Sequence, residues 1–401
     1  MIRRWLPAWL LFGLAVSAHA RELDPALPQR FSLDPVRAST ASPSDGSLPR
    51  NASVAFRLRI ANAITHPPAA TADKTVLVAH ADPVLAEYDA RGRSLWAARL
   101  GPNPAAASPF VFADGTRAVV TEGGELVGFS SRGRVVFRTR LPFGTIGPAL
   151  VIAPLGDGGV LLAERQRVVS LDATATLRFQ SELDKDVSAV LPGLTPAASG
   201  NELAARALLV TRGGSVLELA SDGRPTLRAR FSGNVTAAAR LGAGRVLGVL
   251  DAQRLVELDL VADTEKVVTE APDFSLLPEL AVNRAGESRV LGSGDLLLAF
   301  DAAGNERFRV PFATPASGPE PSDGTTGLLL DGAGTTLVAR AGAGVFSITA
   351  DGLVTRVDGS ACPAPLRPAL LPPSSVIVAC RSGILLRLEA AAAREASGKP
   401  R

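Results

Sequence analysis

The chain has 401 residues, of which 46% are hydrophobic and 20% charged, with a formal charge of +3 at neutral pH. That apolar content excludes wholesale disorder. Two Cys and three His exclude a disulfide-scaffolded miniature domain, a zinc ribbon and a poly-histidine metal site.

A leader is expected over residues 1–20. Arg3 and Arg4 supply the positive start, residues 5–16 form a short and mostly apolar run, and Ala18-His19-Ala20 gives the small-x-small pattern read by a signal peptidase. Twelve residues are too few to cross a hydrocarbon core of about 30 Å. Cleavage after Ala20 is therefore expected, with no lipid-bearing Cys nearby. No later stretch reaches the length of a transmembrane helix, so the mature chain is expected to be periplasmic or secreted, with no membrane span. Setting Arg3 and Arg4 aside lowers the basic excess, and the remaining arginines are dispersed. A nucleic-acid partner would demand a clustered basic stripe, so none is expected.

Residues 21–51 hold five Pro and five Ser with no sustained period, and are expected to be an extended linker. From 52 to 390 the chain changes character. Short runs rich in Val, Leu, Phe and Ala are punctuated by Gly or Asp-Gly turns, and no segment keeps an amphipathic helical period. Residues 391–401 are expected to be a frayed or disordered tail.

An internal repeat organises 52–390. YDARGRSLW begins at Tyr88, FSSRGRVVF at Phe129 and FDAAGNERF at Phe300. Each has an aromatic, a turn Gly four residues on, and a second aromatic four further. Weaker copies start at Leu171, Leu219, Leu258 and Ile348, and a partial one at Leu388, with spacings between 39 and 48 residues. This period suits a blade of four antiparallel strands. The inner strands are expected at PFVFA, PALVIA, AVLPGL, AAARLG, LPELAV, GLLLD and PALLPP. The last copy lacks a fourth strand, whereas VAFRLRI at 54–60 matches VVFRTRL at 135–141 and has no earlier strands of its own. It is expected to complete the last blade as an N-terminal clasp. The predicted fold is all-β, an eight-bladed β-propeller closed by that strand. Seven blades is the alternative, because the copies at Leu258 and Ile348 are degenerate.

The pattern aromatic-Asp-x-x-Gly-x-x-x-Trp/Phe, best seen at 87–100 and 299–312, resembles the quinoprotein-like (pyrroloquinoline-quinone type) propeller family. One branch is the non-enzymatic propeller of outer-membrane β-barrel assembly; another holds the quinone-dependent dehydrogenases. The chain resembles the first more closely. It lacks the lipoprotein Cys of that branch. It also lacks the adjacent Cys pair and tryptophan girdle of the dehydrogenases, Trp96 being the only Trp beyond residue 20.

No constellation with chemistry stands out. His66 and His80 have no carboxylates at ligand spacing, the Asp-Gly pairs read as turns, and neither a phosphate loop nor a Gly-x-Ser-x-Gly elbow is present. Catalytic, cofactor and metal residues are expected to be none. The resulting expectation is a monomeric, non-catalytic scaffold whose partners are other envelope or secreted proteins. A quinone- or carbohydrate-directed propeller enzyme is the alternative. Partner binding is expected on two insertions, near 195–206 and 313–323, on opposite faces of the ring. Cys362 and Cys380 are expected to form a disulfide in the last blade, two separate thiols being the alternative. A two-residue turn at Pro373-Ser374 would set Cys380 opposite Arg367.

Overall fold

The structure, a computed structural model, describes residues 47–390 except 50–51, 61, 148–149, 156–157, 193–206, 243, 314–325, 359–361 and 372–373. The expected leader, most of the expected linker and the tail lie outside the described residues.

Among the described residues the chain forms thirty-two strands and no helix, arranged as eight four-stranded antiparallel sheets. After β1 (Ala52–Arg59), blade 1 is β2 (Ala69–Ala70), β3 (Val76–Ala79), β4 (Val84–Tyr88) and β5 (Ser94–Arg99). Blade 2 is β6 (Phe110–Val111), β7 (Arg117–Val120), β8 (Glu125–Phe129) and β9 (Val135–Arg140). Blade 3 is β10 (Leu150–Pro154), β11 (Val160–Glu164), β12 (Arg167–Leu171) and β13 (Leu177–Glu182). Blade 4 is β14 (Val187–Leu191), β15 (Leu208–Thr211), β16 (Ser215–Leu219) and β17 (Pro225–Arg230). Blade 5 is β18 (Val235–Arg240), β19 (Arg245–Leu250), β20 (Arg254–Asp259) and β21 (Thr264–Glu270). Blade 6 is β22 (Leu276–Val282), β23 (Ser288–Gly292), β24 (Leu296–Phe300) and β25 (Glu306–Pro311). Blade 7 is β26 (Thr326–Leu330), β27 (Thr336–Arg340), β28 (Gly344–Ile348) and β29 (Val354–Asp358). Blade 8 is β30 (Ala369–Leu371), β31 (Ser375–Cys380) and β32 (Ile384–Ala390), completed by β1. The count is eight, not seven.

The repeat motif has a local and a neighbourly cause. In the turn between the third and outer strands of blade 1, the Asp89 carboxylate accepts the N–H groups of Arg91 and Arg93 at 2.8 and 2.9 Å, and Gly92 takes φ 79°. This is an Asx turn, which Asp favours because its side chain substitutes for a backbone acceptor. The aromatic four residues after the Gly then covers the corresponding turn of the next blade. A Cβ on Gly133 of blade 2, itself at φ 73°, would lie 2.6 Å from the Trp96 ring of blade 1. Phe56, Phe179 and Phe308 sit in the same way over Gly92, Gly223 and Gly352. The motif's glycine and aromatic are thus halves of one inter-blade contact, repeated round the ring.

The middle strands are mostly apolar because both of their faces are covered. Val76 and Val78 of β3 join Ile377 and Leu385 of blade 8 in one buried cluster, whereas Leu77 and Ala79 join Val119, Val127 and Phe129 of blade 2 in another. Similar clusters fill the other seams. Each fully buried Val or Leu is worth about 1.5–3 kcal/mol, so a lone blade would forfeit most of its stabilisation.

Closure follows the expected route. β1 runs antiparallel to β32 from Ala52↔Ala390 to Arg59↔Ile384, with a bulge between Val54 and Phe56, and the Ile60 N–H donates to the Gly383 carbonyl at 2.7 Å. The chain just before β1 is also anchored. Leu48 is buried among Leu337, Ala339 and Val345 of blade 7, and its N–H donates to Asp331 Oδ2 at 2.8 Å.

The register of blade 8 departs from expectation. Leu371 pairs with Ser375, so the connection has three residues rather than two, and Cys380 lies opposite Pro365 rather than Arg367. A two-residue turn would need the N–H of residue 372 to close its ladder, and that residue is Pro, which has none.

Candidate functional site

In blades 1 to 7 the first and third hairpin turns emerge on one face of the ring. The second turn and the link to the next blade emerge on the other. The two long connections fall on opposite faces by their roots. Residues 193–206 lie between the inner and second strands of blade 4, and 314–325 join β25 to β26. Both expected binding insertions lie outside the described residues.

The Cys362–Cys380 pair is joined in a disulfide with Cα atoms 5.5 Å apart. The segment ahead of β30 is laid along the end of β31, with the Leu366 N–H donating to the Ala379 carbonyl (2.8 Å) and the Arg381 N–H to that of Ala364 (3.0 Å). The Gly342 N–H of blade 7 donates to the Pro363 carbonyl at 2.9 Å. The bridge therefore pins the entry to blade 8 on the face opposite Leu48. Both sulfurs belong to the buried cluster of the blade 7–8 seam.

Polar groups that no local pattern announces lie along the seams. Glu87 of β4 is 1% exposed and accepts four hydrogen bonds: from the Trp96 Nε1–H (2.8 Å), from the Thr75 hydroxyl, and from Arg117 of blade 2 through Nε (3.1 Å) and an η nitrogen (3.0 Å). The same η nitrogen of Arg117 also reaches Asp73 at 3.0 Å. Such a pair is fully hydrogen-bonded, so it tolerates burial that would be costly for either charge alone. Arg367, just before β30, reaches past the inner strand of blade 7 to Glu279 of blade 6 at 2.6 Å. That reach requires Gly327 in β26, where a Cβ would stand 2.5 Å from the Arg367 Cα. Arg240, at the end of β18, donates to the Pro192 carbonyl of blade 4 at 3.1 Å; burial draws its pKa down to about 10, still charged at neutral pH.

The two histidines are not brought into a shared ligand set. His66 Nε2 lies 2.9 Å from the Ala105 carbonyl and bridges blades 1 and 2. The His80 ring is buried, and neither of its nitrogens has a hydrogen-bond partner among the described residues. Burial lowers its pKa below the usual histidine value, with Asp82 opposing the shift. Among the described residues no group of three His, Cys, Asp or Glu could hold a metal ion, and no helix is long and apolar enough to cross a membrane.

Residues 81–207 match the family model described as outer membrane protein assembly factor BamB, of the PQQ-like repeat type. The chain is an eight-bladed β-propeller, and that stretch of it resembles the PQQ-like repeat. Among solved structures, BamB from Moraxella catarrhalis superposes with a TM-score of 0.60 at 13% identity, covering 84% of this chain and 97% of that one. The computationally designed Ika8 protein gives 0.59 at 12% identity, covering 82% and 96%. Virginiamycin B lyase from Staphylococcus aureus gives 0.50 at 10%, covering 84% and 99%. At these identities the likeness is one of fold. No curated protein sequence matches the chain.

The matching family model is named for a quinone, and among the described residues neither Trp96 nor the cysteine pair is free to hold one. Trp96 is stacked on Phe129, 5.8 Å between ring centroids, and hydrogen-bonded to Glu87 in the blade 1–2 seam, so it is committed to packing. The two cysteines are 18 residues apart and bridged within blade 8 and its entry.

Proposed function

We propose that this eight-bladed propeller is an exported, non-catalytic scaffold that binds other proteins in the cell envelope. The observation that carries this reading is the match of residues 81–207 to the family model of BamB, an outer membrane protein assembly factor. The buried disulfide supports a location in the periplasm or outside the cell, since such bonds persist in oxidising compartments. The Arg3/Arg4 start and the Ala18-His19-Ala20 pattern support export. The rigid ring supports binding through irregular connections held at its two faces.

Cross-linking in intact host cells, followed by isolation of the chain through a C-terminal tag, tests this. The expected result is a small, reproducible set of envelope proteins linked to residues of the ring, recovered from the soluble or membrane-associated envelope fraction. Recovery from the cytoplasm, or a chain linked to nothing, would overturn it.

A further inference from the structure

Each outer strand is the terminal strand of its sheet, so one row of its N–H and C=O groups has no ladder partner. Such edges invite pairing with other chains, and natural sheets blunt them with bulges and charged side chains. All eight outer strands here have a bulge where they meet the third strand. Among the described residues seven of them also carry at least one arginine, for example Arg138 and Arg140 in β9 and Arg307 and Arg309 in β25. The outer strand of blade 5, β21, carries none.

Its sequence, TEKVVTE, has seven strand residues, about 23 Å of edge at roughly 3.3 Å per residue. Val267 at its centre is 47% exposed, and Val261 in the preceding turn is 80% exposed. Val268, by contrast, packs against Gly304 of blade 6. The charge along this edge is also acidic, more so than along the arginine-bearing edges. Asp263, Glu265, Glu270 and Asp273 stand against Lys266, whose ammonium donates to the Ala303 carbonyl at 2.8 Å, and Arg254, which lies opposite Glu270 in the ladder. Glu265 also accepts the Ser232 N–H at 2.6 Å.

We infer that the outer edge of β21 is a docking edge for an extended, basic, β-branched segment of a partner protein, which adds to blade 5 as a fifth strand. Main-chain hydrogen bonds would supply affinity, Val267 an apolar contact, and the flanking carboxylates would select Lys or Arg. The inference rests on the scaffold reading and narrows it to one edge.

The test places a photo-cross-linking residue at Val267 in the full chain, in the host, with Val136 of β9, 60% exposed, as the comparison edge. A third probe at Lys185, on the face of the inter-blade links, reports binding elsewhere. The expected result is a cross-link from Val267 to one protein, through a peptide of net positive charge, at least fivefold stronger than from Val136. Glu270→Lys with Asp273→Lys should weaken it at least fivefold at an unchanged melting temperature. Equal capture at Val136, an acidic cross-linked peptide, indifference to the charge reversal, or capture at Lys185 alone would each overturn the docking edge and leave the scaffold reading standing. No capture from any of the three, combined with no partner from cross-linking in intact cells, would remove both.

Discussion

Removing the clasp should cost about as much as the whole domain is worth. A chain beginning at residue 62 lacks Leu48 and Ile60, 4% and 8% exposed, together with the half-buried Val54, Phe56 and Leu58 of β1. At about 1.5–3 kcal/mol for each buried side chain and half that for each partly buried one, the loss is about 5–10 kcal/mol. Typical domains are stable by about 5–15 kcal/mol. The deletion also opens the edge of β32 along its full length and bares the blade 8 side of the seam to blade 1. Urea denaturation followed through Trp96, the only Trp beyond residue 20, resolves three truncations. A chain starting at 47 should match one starting at 21. A chain starting at 52 should lose about 1.5–3 kcal/mol through Leu48. A chain starting at 62 should lose its cooperative transition or aggregate. Equal midpoints for the chains starting at 47 and 62 would refute ring closure by β1.

Other perturbations read out individual seams. Gly327→Ala forces a Cβ to within 2.5 Å of the Arg367 backbone and should cost about 1–3 kcal/mol in urea, whereas a loss under about 0.5 kcal/mol would show that blade 7 can yield there. Glu87→Ala leaves the Arg117 guanidinium buried with only the exposed Asp73 opposite, so about 3 kcal/mol should be lost. Replacing both partners by Leu and Met should recover most of it, and failure to do so would argue against an unpaired charge as the cause. His80 has its pKa lowered by burial, so the native ring resists a proton that the unfolded chain accepts. Its contribution is therefore intact above the unfolded value of 6.5 and lost progressively as the pH falls below it. His80→Phe should flatten the decline in melting temperature between about pH 7.5 and 5, and a parallel decline in both proteins would exclude His80 as its source.

What was legible in the sequence is what the chain settles locally. The Asp-x-x-Gly turn followed by an aromatic is a contact between adjacent blades, so it recurs at blade spacing and shows itself as a repeat. The degenerate copies at Leu258 and Ile348 still form blades because other groups fill the turn: the Asp259 carboxylate accepts the Val261 and Ala262 N–H groups, and the Thr349 hydroxyl accepts that of Leu353. The blade 8 register differs from the expected one because Pro372 has no N–H to close a two-residue turn. Glu87–Arg117 and Arg367–Glu279 join residues 30 and 88 positions apart. Glu218 and Glu257 stand at the place of Glu87 in blades 4 and 5, but their partners, Arg228 and Arg245, lie in the same blade rather than the next. No periodicity marks such pairs. Glu87 does stand inside the best copy of the motif, and Glu279 inside an expected inner strand, but their partners become apparent only when the ring is closed.

Native mass spectrometry of the protein isolated from its host envelope tests the scaffold reading most directly. The predicted species is residues 21–401 with one disulfide, two hydrogens lighter than the reduced chain, in stoichiometric complex with another protein. An unprocessed chain with two free thiols, or a processed chain carrying a bound quinone and no protein partner, would contradict it.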